Sequence, residues 1–243
     1  PQYPVFPDYD EGVIPNKGNV LILDREKPAA AADFRAVPSG AALKQVTDVA
    51  VNWDENALDV TFTCPDTGIV AAFQDNDNIK LWKDDCVYVW LDPGHTHNGD
   101  KKYIMVQVSA SGAWHDIKNG DPAFNVAGMK ADVARTGTGW TAHLQIPWKG
   151  LGEAAPKPGD VWGLNFTRMD QPGKVDLDNM QSSSWVALSF HPGDPTDLAR
   201  WGHLVFGAKG DAAPAEAGRK AIEKVHQAFA DKAYSREYLL QNL

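Results

Sequence analysis

Residues 82–94, WKDDCVYVWLDPG, join two carboxylates, a run of alternating character and a turn. Val87, Val89 and Leu91 recur at period two and suit a buried face, while Cys86, Tyr88, Trp90 and Asp92 fall on the other face of the same predicted strand. Two large aromatics on that second face call for either a second layer that covers them or a ligand that stacks on them. The alternation recurs along the chain. Residues 48–53 and 58–63 read as a hairpin around a turn at 54–56, and Pro65, which has no N–H to give a ladder, marks the exit. Residues 103–109, 114–117, 130–135 and 140–146 read as further strands, with turns at 110–112 and 137–139. If the strands at 86–92 and 103–109 pair, Tyr103, Met105, Gln107 and Ser109 join Tyr88 and Trp90 on one aromatic and polar face. In VWGLNFTRMD (161–170), Trp162, Leu164 and Phe166 alternate with Gly163, Asn165, Thr167 and Met169, again giving a core face and a second face.

The flanks have a different character. Residues 1–19 hold four prolines and an acidic patch at Asp8, Asp10 and Glu11, the pattern of an extended lead-in or a strap. An apolar run covers 20–23, an alanine-rich start of a helical turn is expected at 29–34, and a short helical turn at 147–151 is followed by a tight turn at 157–160. From 208 the composition shifts to a linker, then to a helix over 216–230 whose Ile222, Val225 and Phe229 form one narrow apolar stripe. Docked across Tyr88 and Trp90, that helix would cover the aromatic face. The expected architecture is a two-sheet antiparallel β-sandwich, jelly-roll-like, over 20–207, with a proline-rich N-terminal lead-in (1–19) and a linker and C-terminal helix (208–243).

The 243 residues suffice for one large β domain with a sizeable core. A net charge of −9 argues against nucleic acid or an anionic membrane surface as partner, and no apolar run approaches the ~20 residues of a spanning helix. No charged-then-apolar signal segment heads the chain, and its start at Pro1 gives the expectation of a processed terminus. Nine Trp with 21 Gly and 16 Pro suit a turn-rich sandwich that handles sugars, and equally any sandwich with a large core. Cys64 and Cys86 lie in strand-like runs. They are either bonded, which needs adjacent strands with facing Cβ atoms, or two buried thiols, and they lack the spacing of a zinc or redox site.

Asp75 and Asp77 in QDNDN (74–78), together with Asp92, are candidate Ca²⁺ ligands, since that ion takes six to eight hard oxygens. The competing reading is a solvated loop, because the glycine and terminal glutamate of the twelve-residue helix-loop-helix pattern are missing. In PGHTHNGD (93–100), His95 and His97 form a His-x-His pair able to hold a transition metal, against exposed histidines on a glycine-flanked loop. No G-x-S-x-G elbow, H-E-x-x-H pair or phosphate-binding loop occurs, and the acidic residues cluster in turns rather than across a cleft, so catalysis is not expected.

WKDDCVYVWLDPG, KYIMVQVSASGAWHD, GWTAHLQIPWKGLG, PKPGDVWGLNFTRMD, SSSWVALSFHP and RWGHLVF follow one another in the order of the family 9 carbohydrate-binding modules, in the broader family 9-like, DOMON-related sense, which the chain resembles from about residue 20 to 206. The resemblance implies a two-sheet sandwich, non-catalytic sugar binding, bound Ca²⁺, a secreted or periplasmic setting, and association with other domains such as glycoside hydrolases. In sugar-binding members two Trp side chains sandwich a terminal sugar. The first falls on Trp82; the second has no match in HPGDPTDLAR, which moves the expectation to Trp185. Positions that hydrogen-bond the sugar fall on Tyr88, Met105 and Thr167, so stacking on Trp82, Tyr88, Trp90 and Tyr103 carries more of the implied binding. Specificity then rests on Gln107, Asn165, Arg168 or His191. Each has a plain alternative: Trp82 caps the core, Arg168 pairs with Asp170, and His191 serves a loop. Trp148, Trp162 and Trp201 read as packing residues. Two other functions stay open: a haem-binding sandwich of the related electron-transfer class, using Met105 or Met169 with a histidine or lysine, and a structural module whose aromatic face is covered by protein.

Overall fold

Among the described residues the chain forms thirteen strands in two stacked sheets, the period-two segments among them. The structure, a computed structural model, describes residues 19–25, 27–37, 39–97, 102–186, 201–207 and 213–231. The proline-rich lead-in, His191 and Asp100 lie outside the described residues.

The larger sheet contains β1 (Val20–Leu23), β3 (Arg35–Ala36), β6 (Cys86–Asp92), β7 (Ile104–Ser109), β8 (Trp114–Lys118), β11 (Val161–Asp170), β12 (Gln181–Ser184) and β13 (Gly202–Phe206). Its order is β1-β13-β11-β6-β7-β8, and β12 continues along the β13 side of β11 and pairs with β3. The smaller sheet, β2-β4-β5-β10-β9, uses β2 (Ala29–Ala31), β4 (Asp48–Trp53), β5 (Ala57–Pro65), β9 (Lys130–Thr136) and β10 (Gly139–Pro147). All pairs are antiparallel except β1 with β13, which run parallel.

Two sequence expectations change. Residues 29–31 form strand β2 on β4 rather than a helical turn, because pairing with Val49 and Val51 buries Ala31. The C-terminal helix, α2 (Ala213–Asp231), begins earlier than expected, and the short α1 (Trp148–Leu151) matches the sequence reading. Helix α2 packs mainly on β13 and β11, not across Tyr88 and Trp90. At Gly218 an added Cβ would come within 2.6 Å of the Val205 side chain, so a larger residue there would push against the sheet.

Between the sheets the inward residues of β6, β7 and β11 meet those of β4, β5 and β10. Phe62 and Phe166 pack edge to face at 5.6 Å, Trp53 and Phe206 at 5.0 Å, and Trp148 and Trp162 at 5.5 Å. Such pairs contribute about 0.5–1.5 kcal/mol each beyond burial. Trp148 and Trp162 are therefore packing residues, as read from sequence. Trp185 also belongs to this core, 5.8 Å from Phe166, and is not a displaced sugar platform. Cys64 faces the core from the small sheet and Cys86 faces outward from the large one, and both are free thiols.

Candidate functional site

The outer face of the large sheet assembles as the alternation requires. Tyr88 lies opposite Gln107 and Thr167, and Trp90 opposite Met105 and Asn165, so all six project to one side. Tyr88 and Trp90 stack at 5.5 Å with 13° between their planes; Tyr103 and Trp201 flank Trp90 at 5.8 and 6.2 Å. The Trp90 Nε1–H donates to Thr167 Oγ1 at 3.0 Å, and Gln107 Nε2 donates to Cys86 Sγ at 3.3 Å. Asn165 Oδ1 accepts from the Phe166 and Val186 N–H groups and the Ser184 hydroxyl, while its buried Nδ2 has no hydrogen-bond partner among the described residues.

This face is not open. Tyr88 and Trp90 are each 6 % exposed and Met105 4 %. The rings fill a second hydrophobic layer with Cys86, Tyr103 and Trp201. Trp201 was read from sequence as packing, but its place on this outer face was not foreseen; the period-two spacing of Trp201, His203 and Val205 in RWGHLVF is the signal that places it. Burial drives the Tyr88 hydroxyl well above its ordinary pKa, since phenolate would be stranded without water.

Trp82 is different. It sits on a single 3-10 turn, Leu81–Lys83, before β6, and at 38 % exposure is the one exposed large aromatic among the described residues. The Lys83 ammonium lies 5.4 Å from its ring centroid. The two carboxylates that follow hold this turn. Asp84 accepts the N–H groups of Ala72 and Phe73 and the Ser109 hydroxyl. Asp85 accepts those of Val70 and Gln171, so residues 70–73 and the end of β11 are clamped beside the turn. Burial raises the Asp85 pKa to about 7, against the pull of those two N–H donors.

The remaining predicted residues scatter. Arg168 points inward, opposite Val87, where it is buried and bonds to Asp170 Oδ1 (2.8 Å), Pro65 O (3.0 Å), Asp66 Oδ2 (3.4 Å) and Thr47 Oγ1 (3.4 Å). It ties the two sheets together and does not reach the outer face. Asp75 and Asp77 are exposed, and the Asp77 N–H bonds to Trp114 O at the β8 end, whereas Asp92 is buried at the far end of β6. The register puts Asp92 five residues beyond the Val87 level, about 17 Å at strand rise. One Ca²⁺ cannot bind all three. Of the carboxylates that do converge, Asp66, Asp85 and Asp170, the first and last already pair with the Arg168 guanidinium and Asp85 accepts two backbone N–H groups, so this donor set does not fit an ion needing six to eight oxygens.

The family model described as carbohydrate family 9 binding domain-like matches residues 28–207. The chain belongs to that family. Three solved structures are similar in fold. A family 9 module from Caldicellulosiruptor kristjanssonii in complex with cellotriose is 14 % identical at TM-score 0.57, over 80 % of this chain and 96 % of that one. The same organism's family 9 module in complex with glucose is 14 % identical at TM-score 0.56, over 79 % and 97 %. A putative carbohydrate-binding protein from Bacteroides uniformis is 14 % identical at TM-score 0.58, over 78 % and 100 %. No curated protein matches. In this chain the outer aromatic face is buried packing, and Trp82 is the exposed large aromatic among the described residues.

Proposed function

We propose that the protein is a non-catalytic carbohydrate-binding module that stacks a pyranose on Trp82. The observation that carries this reading is the exposed indole on a turn braced by four carboxylate oxygens, beside a polar loop with Asp75, Asp77 and Asn78. Family 9 membership supports it, as do the neighbours whose structures hold cellotriose and glucose. A flat ring takes the C–H face of a sugar without needing charge, and a platform held by a rigid turn loses little entropy on binding. In this reading Lys83 and the 74–78 loop supply the hydrogen bonds, and Tyr88, Trp90, Tyr103, Met105, Gln107, Asn165 and Thr167 form the floor behind them. The setting that fits is a secreted or periplasmic protein whose other domains degrade polysaccharide.

A second reading has its own observation. The buried outer layer is what a structural module with a protein-covered aromatic face would show. The haem reading fits less well: Met105 is enclosed by aromatic rings, which occupy the space a porphyrin plane requires. Calorimetric titration with glucose, cellotriose and a wider oligosaccharide panel decides between sugar binding and structure. Saturable binding in the micromolar to millimolar range is expected, weakened about tenfold or more by Trp82→Ala. Absence of heat with every sugar would overturn the sugar reading, and binding unaffected by Trp82→Ala would overturn the platform.

A further inference from the structure

The outer face ends in three histidines that sugar binding does not use. His95 and His97 come from the loop after β6, and His203 from β13, on the far side of β11. Their rings stand 4.5, 4.7 and 5.0 Å apart by centroid, and one ring nitrogen from each lies within 4.8 Å of the other two. His95 Nε2 and His203 Nδ1 are 2.8 Å apart. His97 and His203 are fully buried.

The chain is arranged to bring them together. Asp92 holds three consecutive loop N–H groups: its carbonyl accepts from His95 (3.0 Å), and its Oδ2 from Thr96 (2.7 Å) and His97 (3.0 Å). Under that hold His95 and His97 both take the left-handed conformation, φ 47° and 48°, which L residues adopt at a cost. The strand between the loop and β13 presents no side chain at this level, because Gly163 lies opposite both Asp92 and His203. A Cβ there would come 2.9 Å from the Asp92 Cβ. Glycine therefore leaves room for imidazoles from both flanks to meet above β11.

We propose that His95, His97 and His203 bind one divalent transition-metal ion of the zinc class, which ties the loop after β6 to β13 and closes this end of the aromatic layer. Imidazole nitrogen suits Zn²⁺, Cu²⁺ and Ni²⁺ and is a poor match for Ca²⁺ or Mg²⁺. Tetrahedral Zn–N bonds of about 2.0–2.1 Å put ligand nitrogens about 3.3–3.4 Å apart, a spacing within the 4.8 Å span found here after small side-chain rotations. Three protein nitrogens leave the fourth position to water or an exogenous ligand. Asp92 is a positioning residue, acting through the loop N–H groups.

The test uses tag-free full chain, stripped with a chelator and titrated with Zn²⁺ against a chromophoric competitor, with Co²⁺ as a spectroscopic substitute. One ion per chain with Kd below about 1 μM is expected, together with visible Co²⁺ d–d bands of a low-coordinate nitrogen site. His95→Gln and His203→Gln should each weaken binding about tenfold to a hundredfold, while His143→Gln, on the small sheet beside Asp59, should leave it unchanged. X-ray absorption at the zinc edge of the unaltered protein counts imidazoles directly, so the proposal does not depend on the variants folding: three support it and fewer than two overturn it. Binding weaker than about 100 μM, or binding indifferent to both substitutions in variants with native near-UV dichroism, also overturns it.

Discussion

Replacing Asp85 by asparagine separates two effects of one buried carboxylate. Asp85 is fully buried, and its two oxygens accept the N–H groups of Val70 and Gln171. Asparagine keeps one acceptor and turns an amine toward the other N–H, leaving a buried donor unsatisfied at a cost of about 1–3 kcal/mol. The second effect has the opposite pH sense from an ordinary carboxylate. Burial raises the folded pKa from 3.8 to about 7. Between those values the folded protein holds a proton that the unfolded chain has released, so this group's contribution is full at low pH and is lost as pH rises through about 7. Integrated from pH 5 to pH 8, one such group changes stability by at most about 2–3 kcal/mol. Urea unfolding followed by Trp fluorescence at both pH values measures it. The unaltered protein should lose stability on going to pH 8, and Asp85→Asn should lose less by up to that amount. Burial also raises Asp92 and Asp116, which lie away from Asp85 and contribute alike to both slopes, whereas Asp170, whose charge adds to the Asp85 shift, titrates with Asp85 and is part of the difference that is read. Equal slopes in the two proteins would refute the assignment of a protonated Asp85.

Thr167→Val removes the acceptor of the buried Trp90 Nε1–H while nearly preserving shape, and should cost about 1–3 kcal/mol in urea unfolding without affecting sugar titration at Trp82. A neutral outcome would mean that the outer layer is hydrated. Both thiols are buried and their pKa values pushed up to about 12, so a disulfide-exchange reagent should label neither Cys64 nor Cys86 in the native protein at pH 8 and both in urea. Rapid native labelling of Cys86 would show that the aromatic layer opens.

The sandwich was legible because alternation is a local property: each strand carries its own core face in its sequence, and Val87, Val89 and Leu91 are buried where period two puts them. The helical expectation at 29–34 fails because alanine's helix preference, though the highest of any residue, is a weak local bias that pairing of 29–31 with β4 overrides. The outer face could be composed from sequence, since Tyr88, Trp90, Met105 and Gln107 share a side once β6 and β7 pair. Its burial could not, because Trp201 arrives on β13, about 110 residues from Trp90 in the chain. Arg168 shows the same limit. The alternation put it on the face opposite Thr167, yet its neighbour Asp170 was foreseeable while Asp66 and Pro65, on the other sheet, were not.

The two carboxylates of WKDDC illustrate how one motif serves structure and surface at once. Asp84 and Asp85 each use both carboxylate oxygens on neighbouring donors, four backbone N–H groups and the Ser109 hydroxyl. Those bonds fix the turn that leaves Leu81 buried and Trp82 exposed. A buried acidic clamp holds that ring at the surface. The aromatics a few residues on, Tyr88 and Trp90, receive the opposite treatment and are packed away beneath Trp201. On the proposed sugar-binding reading, that division puts ligand contact at the foot of β6, where the backbone is braced and the ring is exposed, while the sheet face behind it packs.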